Sequence, residues 1–230
     1  MSAIVWDKTG ERIYESGVDH GVLYPQDSTG VYNNGVAWNG LIGVTESPSG
    51  AESNPQYADN IKYLDLMSAE EFGGTIEAYT YPDAFEECDG TAEVAPGVTI
   101  GQQNRKAFGM SYRTKVGNDI AGQDYGYKIH MIWGAKASPS EKNYQTVNES
   151  PEATTFSWEI TTTPVVLTAI NPKTNKVYNP TASLVVNSTK ANADKIKALE
   201  KILYGDAETE PHLPTPDEVI AMFAATTAAA

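Results

Sequence analysis

Three histidines, one cysteine and a surplus of carboxylates are the side chains of this 230-residue chain with the reach to do acid–base, nucleophilic or metal chemistry. His20, His130 and His212 lie far apart, and neither HxH nor HExxH occurs. A hydrolytic zinc site draws several His or Cys ligands together, so these histidines read as structural. Cys88 sits in Glu86-Glu87-Cys88-Asp89, whose acids raise a thiol pKa, the opposite of what a thiolate nucleophile needs. With Asp83, the same acids evoke a calcium loop but lack its D-x-[DN]-x-[DN]-G spacing, and Asp89-Gly90 reads as a turn. No GxSxG, phosphate-binding P-loop or GxGxxG is present. Paired carboxylates for glycoside hydrolysis stay open, because sequence does not reveal which acids meet in space. The aromatic residues read as core and subunit contacts, with a sugar-binding platform as the alternative.

The elements that must position these residues are mostly strands. In 106–116, Phe108, Met110, Tyr112, Thr114 and Val116 alternate with Ala107, Gly109, Ser111, Arg113 and Lys115. In 127–135, Tyr127, Ile129, Met131, Trp133 and Ala135 oppose Lys128, His130 and Gly134. Such period-two patterns predict strands buried on one face, and the polar stretch 117–124 predicts that these two pair as a hairpin. Phe156, Trp158 and Ile160 mark a third strand, and 73–81 and 180–187 two more. Asn33-Asn34-Gly35 predicts a tight hairpin between Val31-Tyr32 and Val36-Ala37-Trp38.

Two helices follow. Over 192–204, Ile196, Leu199, Ile202 and Leu203 form an apolar stripe that Gly205 ends. Thr215-Pro216-Asp217-Glu218 spells a capping box with Pro at the first helical position, and Val219, Ile220, Met222 and Phe223 supply a buried face. About eight strands and two helices without alternating βαβ units predict a mainly β sandwich or barrel with one or two flanking helices. The predicted organisation is a single domain over 1–223 and a loose, alanine-rich tail over 224–230.

Net charge is −14, with 16 Lys and Arg against 30 Asp and Glu. That balance argues against a protein that grips phosphate backbones. No run of about 18 apolar residues occurs, so no bilayer span is expected. The N-terminus carries no basic and then apolar leader, so a soluble protein made in a cytoplasm is expected, and the NxS/T matches at Asn148 and Asn187 read as coincidence. One cysteine excludes an internal disulfide. The charge is uneven: 46–93 holds twelve acids and one base for −11, whereas 94–137 holds six bases and two acids for +4.

An ordered set of segments resembles the major tail proteins, the tail tube subunits, of long non-contractile-tailed bacteriophages. It comprises 17–25 (GVDHGVLYP), 35–41 (GVAWNGL), 45–52 (TESPSGAE), 54–63 (NPQYADNIKY), 69–73 (AEEFG), 76–82 (IEAYTYP), 101–105 (GQQNR) and 213–219 (LPTPDEV). The resemblance runs in order over 5–223. It implies a structural virion protein with no catalytic residues and no cofactor. Protomers of that family form hexameric rings, contribute strands to a shared inner β-barrel and stack into a hollow tube. The implied partners are further copies, a tape measure protein in the lumen during assembly, and tail terminator and baseplate or distal tail proteins at the ends. Genomic DNA passes through without specific binding, no membrane is involved, and the site is the virion after assembly in the host cytoplasm. The alternatives are an acidic carbohydrate-binding or glycosidase-like β-sandwich, or another virion part such as a tail terminator or capsid decoration protein.

Under the resemblance the charge acquires a use, because an acidic lumen repels DNA that must slide. Asp65 and Glu77 are the candidate lumen-facing residues. Glu70, Glu71, Arg113, Lys115 and Lys128 are the candidate inter-subunit contacts, with the acidic segment expected to meet the basic 105–136 hairpin of a neighbour.

Overall fold

Alternation of apolar and polar residues over long stretches builds one antiparallel sheet whose two faces carry separate cores. The computed structural model describes residues 3–147, 149 and 152–224. The chain is mainly β, 44% strand and 12% helix, with a sandwich-like architecture. It opens with β1 (Ile13–Pro25), β2 (Val36–Ala37) and β3 (Leu41–Glu46). An excursion follows: β4 (Ser49–Gly50), β5 (Ser53–Ala58), β6 (Ile61–Met67) and β7 (Glu70–Glu71). β8 (Gly73–Ala78) returns to the sheet, followed by a 3-10 turn at Asp83–Phe85, α1 (Glu86–Asp89), and the hairpin β9 (Ala92–Ala95) and β10 (Val98–Ile100). The long hairpin β11 (Phe108–Asn118) and β12 (Gly122–Ala137) precedes β13 (Phe156–Thr162). Last come β14 (Ile170–Asn171), β15 (Lys176–Val177), β16 (Ser183–Asn187), α2 (Ala193–Tyr204) and α3 (Pro216–Phe223).

The sheet runs β2-β1-β11-β12-β13-β8-β3, with β16 as a second partner of β12. That fork has a local cause in Gly134. Before it, β12 pairs with β16 over Lys128–Ile132; after it, β12 pairs with β13 over Ala135–Ala137. Gly134 takes φ +62, and a Cβ there would lie 2.3 Å from the Thr163 carbonyl oxygen, so only glycine lets the backbones approach. The bulge also flips the side-chain alternation. Ile129, Met131 and Trp133 face one core, whereas Ala135 and Ala137 join the other.

The expectation of strands buried on one face therefore fails for the central hairpin, where Phe108, Met110, Ser111 and Tyr112 are all buried. The first core lies between this hairpin and the layer of β13, β8 and β3, and is dominated by Trp38, Phe85, Phe108 and Trp158. Phe85 and Trp158 meet edge to face with ring centroids 5.1 Å apart. The second core lies under the helices and packs Tyr24, Met131 and Trp133 against Leu199, Leu203 and Val219. Tyr24 Oη donates to the Leu203 carbonyl at 2.8 Å and Trp133 Nε1 to the Pro214 carbonyl at 2.9 Å, so both buried polar tips are satisfied.

The helix ends follow their residues. Asn192 accepts from the backbone of Asp194 and Lys195, Thr215 and Glu218 complete the capping box, and Gly205 with φ +73 stops α2. Ala224 still caps α3, its N–H bonding the Ile220 carbonyl at 2.8 Å, so it belongs to the helix end; the remaining tail lies outside the described residues. The Asn33-Asn34-Gly35 hairpin does not form, although Asn34 has φ +57. Val36 and Ala37 pair with Leu23 and Val22 of β1, and Tyr32 is drawn into the second core, so tertiary packing overrides the local turn signal. The buried face expected of α3 is also only half made: Val219 is buried, but Ile220, Met222 and Phe223 are partly exposed.

Candidate assembly interface

Between β3 and β8 the chain leaves the body as an arm of two paired strands, β5 and β6, whose register runs from Ser53↔Met67 to Ala58↔Ile61. At its root, β4 pairs with β7. Every residue of β6 is exposed, and so is every residue of β5 except the half-buried Pro55. Large apolar side chains occupy both faces: Tyr63 and Met67, 68% and 69% exposed, on one, and Leu64 and Leu66 on the other. That two-sided apolarity is why period-two alternation does not flag these strands. A two-stranded ribbon exposed on both faces is marginal in water on its own.

Asp65 lies on this arm, accepting from Ser53 Oγ and Lys62 Nζ, each at 2.6 Å. The Lys62 ammonium, then the Ser53 hydroxyl, hold its carboxyl below the usual carboxylate range. Glu70 and Glu71 form β7 at the root and are exposed. Glu77 stands apart from them, in β8, opposite Ser157 of β13 and Gly43 of β3. Because Ile76 and Ala78 point into the first core, Glu77 points out, in a face shared with Thr45, Thr75 and Glu159. The structure thus puts the two candidate lumen residues on different elements. The outer face of β3, β8 and β13 is polar and acidic, with Lys136 of β12 as a cation at its border, beside Thr161.

The candidate cations sit differently again. Arg113 Nε donates to Asp19 Oδ1 at 3.0 Å, its Nη1 is 3.7 Å from Glu200, and its guanidinium lies 4.6 Å from the Tyr127 ring centroid. Lys128 pairs with Glu15, and outside the candidate set Lys106 bonds Glu87 at 2.9 Å. Lys115 is exposed on β11 without an ion pair among the described residues. Most of the basic hairpin is therefore neutralised within its own chain, and little of its charge is left for a neighbour's acidic segment.

Glu46 is a residue that spacing alone does not single out. It ends β3 where the arm begins, and accepts from Tyr112 Oη at 2.6 Å and from His130 Nδ1 at 3.2 Å. The His130 ring stacks on Tyr112 at 4.7 Å between centroids, with Nε2 3.0 Å from Thr114 Oγ1. The two ring nitrogens of His130 thus bridge Glu46 and Thr114. This fixes the arm's root to the central hairpin. The His130 hydrogen bond, opposed by partial burial and reinforced by Tyr112, lowers the Glu46 pKa from 4.5. A depressed carboxylate stabilises fully above its unfolded value and stops doing so as pH falls through its folded one. Glu46→Gln is accordingly expected to flatten the loss of stability below about pH 4.5, with a cost of no more than about 1 kcal/mol at neutral pH given its exposure. Urea unfolding of both proteins across that range checks this; parallel curves would remove the latch.

Among the described residues no group of three or more His, Cys, Asp or Glu side chains comes together to hold a metal ion, and no helix is long and apolar enough to cross a membrane. Cys88 is buried, and burial first, then Glu87 and Asp89, push its thiol up to about 12. The Asn148 glycosylation match lies outside the described residues, whereas Asn187 uses its side chain to accept from Thr189 N and Oγ1 in a tight turn. No protein-family model and no curated protein matches the chain, so the functional reading rests on the arm, the acidic sheet face and what could cover them.

Proposed function

We propose that the protein is a structural subunit that polymerises head to tail into a hollow tube, with DNA as the polymer that passes through it. The observation that carries this reading is the arm: two strands with apolar side chains on both faces and no partner in their own chain among the described residues. An arm on one side of a protomer, received elsewhere on the next, is a heterologous contact, and such contacts build rings or filaments. The outer face of β3, β8 and β13 supports the second half of the reading. It presents Thr45, Thr75, Glu77, Ser157 and Glu159, hydrophilic and net negative, a wall that stays hydrated while repelling DNA phosphates. Edge strands β2 and β3 are the free ends of the sheet path, and joining them across subunits would close a barrel and remove exposed edges. The resemblance to phage tail tube subunits supplies the same architecture, with a tape measure protein as the ruler and terminator and distal proteins as the caps.

Negative-stain microscopy of the purified full chain tests the proposal. Long hollow tubes are expected, and rings as their precursors at lower concentration. A protein that stays monomeric at millimolar concentration in low and high salt would overturn it.

A further inference from the structure

We infer that the arm of one copy docks into an apolar groove on the helical side of the next, a contact that rests on the polymer reading and names its receiving surface. The groove lies between β14–β15, the free edge of β16 and α3, with a volume of ≈ 910 Å³. Ile170, Tyr178, Val185, Ile220 and Phe223 line it, and Lys190 and Lys195 stand in its wall. These apolar residues are the ones that the fold leaves unfinished. Val185 is 47% exposed in a strand whose other edge pairs with β12, and Ile220 and Phe223 are the α3 residues that fail to bury. A patch of this kind on a monomer marks an interaction site.

Charge selects the occupant. The stretch 47–72, which contains the arm, carries five acids and one lysine, for −4. The stretch 164–204, which supplies β14 to α2 around the groove, carries six lysines and two acids, for +4. Lys173, Lys176, Lys190 and Lys197 make no ion pair among the described residues, in contrast to Arg113 and Lys128 of the central hairpin. The apolar content matches as well, since the arm offers Tyr57, Ile61, Tyr63 and Leu64 near its tip. Sidedness then makes the contact intermolecular. Val44 and Phe72, where the arm leaves the body, pack on the first core, whereas Leu184, Val186 and Val219 at the groove belong to the second, across the sheet. An apolar ribbon with an acidic rim entering an apolar groove with a basic rim fixes both affinity and register.

Zero-length carbodiimide cross-linking of an equal mixture of isotope-labelled and unlabelled full-length chains, read by mass spectrometry, tests the contact directly. Mixed-isotope peptides joining Glu52, Asp59, Asp65, Glu70 or Glu71 to Lys173, Lys176, Lys190 or Lys197 are expected. Lys173→Glu with Lys190→Glu, both exposed, should raise the critical concentration for assembly about tenfold. Mixed-isotope links from the groove lysines to Asp7 or Glu11 would give the groove to a neighbour's N-terminal Ile4-Val5-Trp6 and overturn the inference. Links to the C-terminal carboxylate would give it to the tail and overturn the inference equally. Tubes in the microscope without arm-to-groove links refute this contact and leave the polymer intact; arm-to-groove links without tubes do the reverse.

Discussion

Replacing Ala51–Ala69 by Asn-Gly should leave a folded protomer that no longer assembles at any concentration where the parent chain forms tubes. The cut falls where the chain has already turned back on itself. Ser49 pairs with Glu71 and Gly50 with Glu70, so a two-residue type I′ turn closes the root without moving it. Nothing excised contributes to either core, because Pro55 alone among these residues is even half-buried. Shortening the loop slightly lowers its closure entropy, so thermal stability should move by no more than about 1 kcal/mol, or about 2–4 °C for a chain of this size. The effect on assembly is expected to be complete, because the deletion removes Tyr57, Ile61, Tyr63, Leu64, Leu66 and Met67, all exposed, in one step. Sedimentation and negative stain read the assembly, and thermal unfolding reads the fold. Tubes formed by the armless protein would place the ring-to-ring contact elsewhere and remove the main support for the polymer reading. A protein that fails to fold would instead mean that the arm has a structural partner within its own chain.

How much of this is legible in the residues depends on what the signal needs. Tyr112, Ile129 and Trp158 announce their strands because each sits in an alternating run, and the caps at Asn192 and Thr215 are local chemistry that survives folding unchanged. The two-core architecture is not legible, because Gly134 exchanges the faces of β12 midway and an alternation count assumes no bulge. The arm hides behind apolar residues on both faces, a pattern that belongs to neither a half-buried strand nor a loop. Charge is readable only as a sum. The +4 of 94–137 looks available to a neighbour, yet Arg113 and Lys128 are held by Asp19 and Glu15, residues about a hundred positions upstream. Besides Lys115 and Lys136, the lysines without an ion pair among the described residues lie mostly in 164–204, where they are spaced too widely to stand out as a basic block.

The acids of 83–89 show the same dependence on tertiary context with its largest energetic consequence. They resemble a calcium loop or a solvated wall, but Asp89 is turned inward and only 6% exposed. Its Oδ2 accepts from Lys142 Nζ at 2.7 Å, and its Oδ1 from Trp158 Nε1 at 3.1 Å and Arg105 Nη1 at 3.4 Å. Gly90 makes this possible, taking φ +78 to end α1 where a Cβ would press on Arg105 at 3.2 Å. Asp89→Ala leaves two partly buried cations without their counter-charge and an indole N–H without an acceptor, so a loss of about 3–5 kcal/mol is expected. Lys142→Met should cost far less, about 1 kcal/mol, because Asp89 keeps Arg105 and Trp158. The order is the diagnostic: a solvated acidic wall would make Asp89→Ala neutral, and urea unfolding of the two variants distinguishes the cases. The consequence reaches the surface as well. Trp158 is flanked by Ser157 and Glu159, which face outward beside Glu77 and Thr75. Loosening the clamp under Trp158 should therefore disturb the face proposed to line the tube, so Asp89→Ala protein that still folds at low temperature is expected to give irregular tubes or none. Regular tubes from such a variant would mean that this face is positioned independently of the first core.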